Sequence, residues 1–359
     1  MNKIILIGNG FDLAHNLKTS YNDFILWYLN KSYDRCNTKN ILDDKLLQFN
    51  TENNIPWIKD TSWELEKINF TSIKDFNHYI DSHHKSVTYK HAFIKNIITH
   101  SSNYNWVDIE SLYFKALLTA VDDYNKYHRL DAIKALNTSF DFLKQKLEEY
   151  LTTIDYTNFT INEEINQHFV SLIQEIKRLK ESSGYYNDKI MILNFNYTPT
   201  VKKYFEGYNE STVTLNYIHG ELKSESNPII FGYGDEKHAE YANIEQLDED
   251  DFLMNVKSFH YMQTKNYRDF TNFVESNDFE VYIMGHSCGL SDRILLSSIF
   301  ENEKCRKIKI LFHQKSDKED DFFEKTQKIS RHFRSDLKHD MRLKIVPKEV
   351  SKPLVPYNK

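Results

Sequence analysis

The sequence predicts a doubly wound, mainly parallel α/β sheet interrupted by an inserted all-helical bundle. Three observations lead there. Short apolar, β-branched runs recur at Ile4-Ile5-Leu6-Ile7, KIMILNF (Lys189 to Phe195), TVTLNYI (Thr212 to Ile218), EVYIM (Glu280 to Met284) and KIKILF (Lys307 to Phe312). Each has the length of a buried strand. Helical segments separate most of them, and strands alternating with helices build a parallel sheet. From about Asn30 to Ser183, glycine vanishes and apolar residues keep helical spacing.

The first strand ends at Gly8-Asn9-Gly10, and a helix follows at once. A strand, a glycine turn and a helix N-terminus present backbone N–H groups to an anion, one way to hold nucleotide phosphates. The G-x-G-x-x-G pattern is incomplete: Leu13 holds the third glycine position, and no acidic residue stands out about 20 positions on. A tight turn with no ligand fits this stretch equally well. Thr19-Ser20 then caps a helix with Tyr21, Phe24, Ile25 and Tyr28 on its apolar face.

Within the insertion, Ile109, Leu112, Tyr113, Ala116, Leu117, Ala120, Val121 and Tyr124 keep i, i+3, i+4, i+7 spacing. Leu136 to Leu151 and Ile165 to Leu179 repeat it, whereas Asn37 to Trp63 is polar and suits loops and shorter helices. Ser182-Ser183-Gly184 is expected to close the bundle. Beyond it, Pro199 suits the first position of a short helix after Thr198. Pro228 to Phe231 reads as a short strand, and helices are expected near Ala239 to Phe252 and Ser258 to Glu275. Further helices are expected near Asp292 to Glu301 and Lys318 to Phe333, with an edge strand at Arg342 to Val346. The expected domains are 1–30 plus 187–350 for nucleotide binding and 31–186 for the insertion, with a tail at 351–359.

The chain has 359 residues, enough for a sizeable core. Its net charge of −6 offers no basic field, so no nucleic-acid partner is expected. Cys36, Cys288 and Cys305 are too scattered for a disulfide framework or a zinc ribbon, and no metal is expected. With no leader and no long apolar run, the expected location is cytoplasmic, away from membranes. The abundance of Tyr and Phe is expected to fill the bundle and a homo-oligomer interface.

Only nine glycines occur, and Gly8, Gly10, Gly220, Gly232, Gly234, Gly285 and Gly289 fall in three places after strand-like runs. That grouping predicts that the three places meet in space. Ligands of open parallel sheets bind outside the carboxyl ends of the strands. Polar residues collect there: Gly8 to Asp12, Asn194 and Asn196, His219, and Gly285-His286-Ser287.

These pieces resemble the AbiH family of bacteriophage abortive-infection proteins. The resemblance runs nearly end to end through IGNGFDLAHNLKTSYNDF, NWVDIE, LNFNYTPT, YIHGEL with FGYGDE, and GHSCGLSD. At a greater distance their order is similar to the SIR2-like fold. That resemblance implies a Rossmann-like NAD-binding domain with a helical insertion and, more weakly, cleavage of the nicotinamide–ribose bond. It implies a phosphate loop at Gly8, Asn9 and Gly10, with Phe11 and Asp12 beside it. Asn196 matches the asparagine of an Asn-Tyr-Asp motif, His219 the histidine of a His-Gly motif, and Ser287 the serine of a G-x-S turn. The aspartate of the first motif is Thr198 here, so its carboxylate is absent or supplied elsewhere. The four-cysteine zinc site of sirtuin deacylases is absent too.

The chemistry fits these residue types. Nicotinamide leaves NAD as a neutral molecule, so little acid catalysis is needed. The protein must hold the ribose while charge develops at C1′ and must place a water opposite. Asn196 can orient a hydroxyl or that water, and His219 is the natural base near neutral pH. Asn194, Gly285, His286, Ser287 and Asp292 complete the expected cofactor-binding set.

Blander readings compete at most positions. Asp12 can cap the first helix, His15 can be a solvated helix residue, and a histidine before glycine is often a turn residue. Asp108 and Glu110 suit a helix start through the dipole, while Asp235 and Glu236 suit a solvated loop. GHSCG also matches the G-x-S-x-G elbow of serine hydrolases, with Ser287 as nucleophile and His313, His332 or His339 as base. The functional expectations are therefore an antiphage NAD hydrolase answering a phage-derived trigger protein, a non-catalytic nucleotide sensor, and a hydrolase or nuclease of another kind.

Overall fold

The computed structural model describes residues 1–39, 43–50, 68–82, 86–99, 106–123, 125–183, 188–206 and 212–357. Its strands are β1 (Asn2–Ile7), β2 (Leu47–Asn50), β3 (Ser86–Tyr89), β4 (Ile190–Asn194), β5 (Val213–Tyr217), β6 (Phe279–Met284) and β7 (Cys305–Leu311). The chain divides into two compact units. Unit 1 holds Met1–Thr19, Ile154–Tyr241 and Val256–Lys359; unit 2 holds Ser20–Thr153 and Ala242–Asn255.

Unit 1 is built on one parallel sheet in the order β5-β4-β1-β6-β7. Ile4 of β1 stands beside Met191 on one side and Val281 on the other. The uniformly apolar runs are explained by burial of both sheet faces. Ile4, Leu6, Met191, Leu193, Val281 and Ile283 point to one core, with Phe270, Phe273, Leu296 and Ile299 from covering helices. Ile5, Ile7, Ile190, Ile192 and Met284 point to the other, against Ile165, Phe169, Leu172 and Ile176. Each fully buried aliphatic side chain contributes about 2 kcal/mol. Helices on both faces make the sheet doubly wound, as expected.

The helix Glu163–Ser183, counted with the insertion on sequence grounds, belongs to unit 1 and supplies that second core. Gly184, expected to stop it, lies outside the described residues. Two expected strands differ. Pro228 to Phe231 joins no strand; the Ile230 N–H donates to the His219 carbonyl, and the Tyr197 hydroxyl donates to the Ile230 carbonyl. Arg342 to Val346 lies mostly in the helix Lys338–Lys344, and Ile345 alone bridges to Ile308 of β7. The apparent alternation there misleads because Leu343 faces solvent at 70% exposure.

Unit 2 contains the helices Tyr21–Lys39, Ile73–Ser82, Ala92–Thr99, Trp106–Val121 and Lys126–Leu151. The antiparallel pair β2–β3, with Leu47 opposite Tyr89, is an addition to the expected bundle. Most of Asn37 to Trp63 lies outside the described residues, as do Tyr124 and the side chains of Trp106 and Asp108. Asn125 caps the longest helix by accepting from the Tyr127 and His128 N–H groups. The core of the unit joins Phe93, Ile97, Tyr113, Leu117, Ile133, Leu136 and Phe140, all buried. Among the described residues, no helix is long and apolar enough to cross a membrane.

Candidate functional site

Numbered within unit 1 alone, the strand order is 3-2-1-4-5, so the connection direction reverses between β1 and β6. That reversal is where open α/β sheets bind ligands. Here the two turns that leave β1 and β6 press on each other. A Cβ on Gly10 would lie 2.8 Å from the Gly285 carbonyl oxygen. Gly285 has φ +77°, and a Cβ there would stand 2.1 Å from the Phe11 nitrogen. Only glycine fits either position.

The same packing consumes backbone donors. The Gly8 N–H donates to the Met284 carbonyl at 3.3 Å, the Gly10 N–H to the Gly285 carbonyl at 2.9 Å, and the Phe11 N–H to the Gly8 carbonyl at 2.8 Å. These three amides therefore face protein oxygens. Asn9 and Ser287 stay partly exposed at the two turns. Ser287 makes no hydrogen bond to a histidine among the described residues, and the left-handed positions of the GHSCG turn are Gly285, φ +77°, and Cys288, φ +55°, not Ser287. Neither fact favours Ser287 as a hydrolase nucleophile.

Behind the first turn sits a buried polar group from β1 and β4. Asn194 accepts the Asn196 N–H through its side chain at 3.1 Å, and Asn196 Nδ2 donates to the Gly8 carbonyl at 3.0 Å. Asn196 thus ties the end of β4 to the glycine turn. Thr198 donates its hydroxyl to Asp12 Oδ2 at 2.6 Å, with Thr200 beside it. The residue standing where the resemblance wanted an aspartate is therefore bonded to one. Asp12 does not cap the short helix Asn9–Leu13 through its side chain. Its Oδ1 is buried without a partner, and burial pushes its pKa up to about 6 against the hydrogen bond from Thr198 and the nearby Thr200 and Asn196 side chains.

A second group collects around Asp292, just past Gly285. Lys257 Nζ lies 2.8 Å from Asp292 Oδ1, and His219 Nε2 lies 3.2 Å from the same oxygen. His286 Nε2 faces Oδ2 at 3.5 Å. All four residues are buried. Burial alone would raise the Asp292 pKa, but Lys257 and the two histidines hold it well below the usual carboxylate range. Burial and the Lys257 charge press His219 down to about 4, outweighing the pull of Asp292. His219 is therefore neutral at pH 7.

The tautomers follow from the partners. The Cys288 N–H donates to His286 Nδ1 at 3.0 Å, so the His286 proton is on Nε2, toward Asp292. His219 directs Nε2 at both Asp292 and the Tyr261 hydroxyl, 3.1 Å away. With its proton there, Nδ1 keeps a lone pair and has no hydrogen bond among the described residues. Phe195 packs against both imidazoles, with ring centroids 4.9 Å from His219 and 4.2 Å from His286. No cluster of metal-ligating type occurs among the described residues.

Sequence reasoning reached both asparagines, His219, His286 and Asp292. It missed Lys257, Tyr261 and Phe195, and it treated Thr198 as a helix cap and as a departure from the motif. Phe195 alone carried a hint, as the residue between two strand-end asparagines. His15 is not solvated: it is held between the Phe11 carbonyl at 2.7 Å and the Tyr204 hydroxyl at 2.6 Å. Asp235 is also buried, bound to Arg293 at 3.1 Å, not in a solvated loop.

The sheet order makes unit 1 a Rossmann-like α/β module. The model of the family described as bacteriophage abortive infection AbiH matches residues 4–314, and the chain belongs to that family. Membership implies a part in abortive phage infection. A comparison with curated proteins finds none similar to the chain.

Proposed function

We propose that the chain binds NAD, or a nucleotide like it, at the carboxyl edge of the unit 1 sheet and hydrolyses its nicotinamide–ribose bond. On this reading the more distant similarity is to SIR2-like NAD hydrolases, and a phage-derived trigger protein sets the activity off. The observation carrying the reading is His219: a neutral imidazole at the end of β5, oriented through Nε2 by Asp292 and Tyr261, with Nδ1 uncommitted. Such an imidazole can take a proton from a water attacking C1′. Asn196 would act from behind, fixing the glycine turn. The nicotinamide needs no proton to leave, so orientation and water placement would supply most of the rate.

Two observations favour a sensor that binds without turnover. The Gly8, Gly10 and Phe11 amides are engaged by protein oxygens, and a histidine titrating near pH 4 is a weak base. Nicotinamide release from NAD, followed by mass spectrometry for wild type, Asn196→Ala and His219→Ala, separates the two. Hydrolysis predicts release by wild type and a loss of at least about 100-fold in His219→Ala. Binding with no release, alone or in phage-infected extract, leaves the sensor. Neither binding nor release removes both.

A further inference from the structure

Asp292 Oδ1 is approached by two groups at once, the Lys257 ammonium at 2.8 Å and His219 Nε2 at 3.2 Å. We infer that Lys257 is a positioning residue: by neutralising Asp292, it leaves that carboxylate able to orient His219 without drawing a proton onto it. This rests on the reading of His219 as the base, and it adds the device that keeps the base unprotonated.

Charge in a dry place decides the matter. Asp292 and Lys257 are both buried, and an unpaired ion there would be strongly unfavourable. Paired, they sum to zero, and a neutral imidazole donating from Nε2 completes the group. Without the ammonium, Asp292 would be an isolated buried anion with two imidazoles in reach. The cheapest remedy is to protonate one of them, and His219 approaches more closely than His286.

The other groups around this cluster leave the argument standing. Tyr261 meets His219 through its hydroxyl and stacks on the ring at 6.0 Å. His286 holds its second nitrogen on the Cys288 amide. Lys325 donates to the His286 carbonyl at 2.8 Å and pairs with Asp321, so its charge is directed at backbone and a different carboxylate. His332 donates to the Cys288 carbonyl at 2.9 Å. Arg293, next in chain to Asp292, is committed to Asp235. Among the described residues, Lys257 is thus the cation that bonds directly to the carboxylate orienting His219.

The test follows the His219 imidazole by NMR titration, assigned by comparison with His219→Gln, in wild type, Lys257→Met and Lys257→Arg. Wild type and Lys257→Arg should stay neutral well below pH 6. In Lys257→Met the midpoint should move up by at least one pH unit, a tenfold or greater change in proton affinity. The acid limb of any nicotinamide-releasing activity should shift with it. If Lys257→Met does not fold, Lys257→Met combined with Asp292→Asn should, because it removes both charges, and His219 should again be neutral there. An unmoved His219 midpoint in folded Lys257→Met, or a double variant less stable than Lys257→Met, overturns the inference. The titration needs no nucleotide, so a wild type inert toward NAD refutes the proposed reaction while the imidazole still judges Lys257.

Discussion

Asp12 concentrates the cost of building this site into one residue. Its carboxyl is fully enclosed, one oxygen bonded to Thr198 and the other to nothing among the described residues. The folded pKa, near 6, lies above the ordinary value of 3.8. An acid that is easier to protonate when folded gives the protein its greatest stability below pH 3.8. That contribution falls as pH rises to 6 and is flat above. Two pH units correspond to about 3 kcal/mol. Asp12→Asn should remove this decline, so urea unfolding at pH 4.5 and 7 should show a smaller pH difference in the variant than in wild type. Equal differences would mean that folding does not raise the Asp12 pKa. The same residues show what a sequence discloses at this scale. Asn194, Asn196, His219 and His286 were legible because each follows a recognisable strand, and strand ends face the ligand edge. Lys257 was not, because a lysine is buried only when a partner exists, and this partner is 35 positions away in a different turn.

Among the elements, legibility followed burial. The strands β1, β4 and β6 are buried along their full length, so nothing but an apolar run could occupy them. Arg342 to Val346 misled because alternation in five residues is also what a surface helix with one inward contact produces. The segment Ala242–Asn255 returns the chain to unit 2, and no periodicity announces it. A polar node secures it there. Tyr113 donates its hydroxyl to Asn137 Oδ1 at 2.7 Å, Asn137 Nδ2 donates to the Asp251 carbonyl at 2.7 Å, and Asn255 Nδ2 donates to the Tyr113 hydroxyl at 3.2 Å. The ring of Tyr113 also packs on Phe140, with centroids 4.2 Å apart. Tyr113→Phe keeps that packing and deletes the hydroxyl, leaving Asn255 with one fewer acceptor. The expected loss is about 1–2 kcal/mol in chemical unfolding, with faster hydrogen exchange across 242–255. If exchange there is unchanged, the node does not hold the segment.

For the whole molecule, the question is which unit a nucleotide would stabilise. Every strand-end residue considered above belongs to unit 1, and the two glycine turns that touch both leave its sheet. A ligand that binds only the folded state stabilises it by mass action, about 2.7 kcal/mol at a concentration one hundred times its Kd. Amides that exchange only when the unit 1 sheet opens should then slow by about a hundredfold on saturation with NAD. The clearest slowing should fall on β1, β4 and β6, whose carboxyl ends form the proposed site, while peptides from the helix Lys126–Leu151 serve as the internal reference. Hydrogen exchange read by mass spectrometry makes this comparison without requiring turnover, so it applies equally to an enzyme and to a sensor. Slowing confined to the unit 2 peptides would move the nucleotide site away from the sheet edge. No slowing in either unit, at NAD concentrations a cell could supply, would leave the strand-order reversal between β1 and β6 as a packing solution in which Gly10 and Gly285 serve each other.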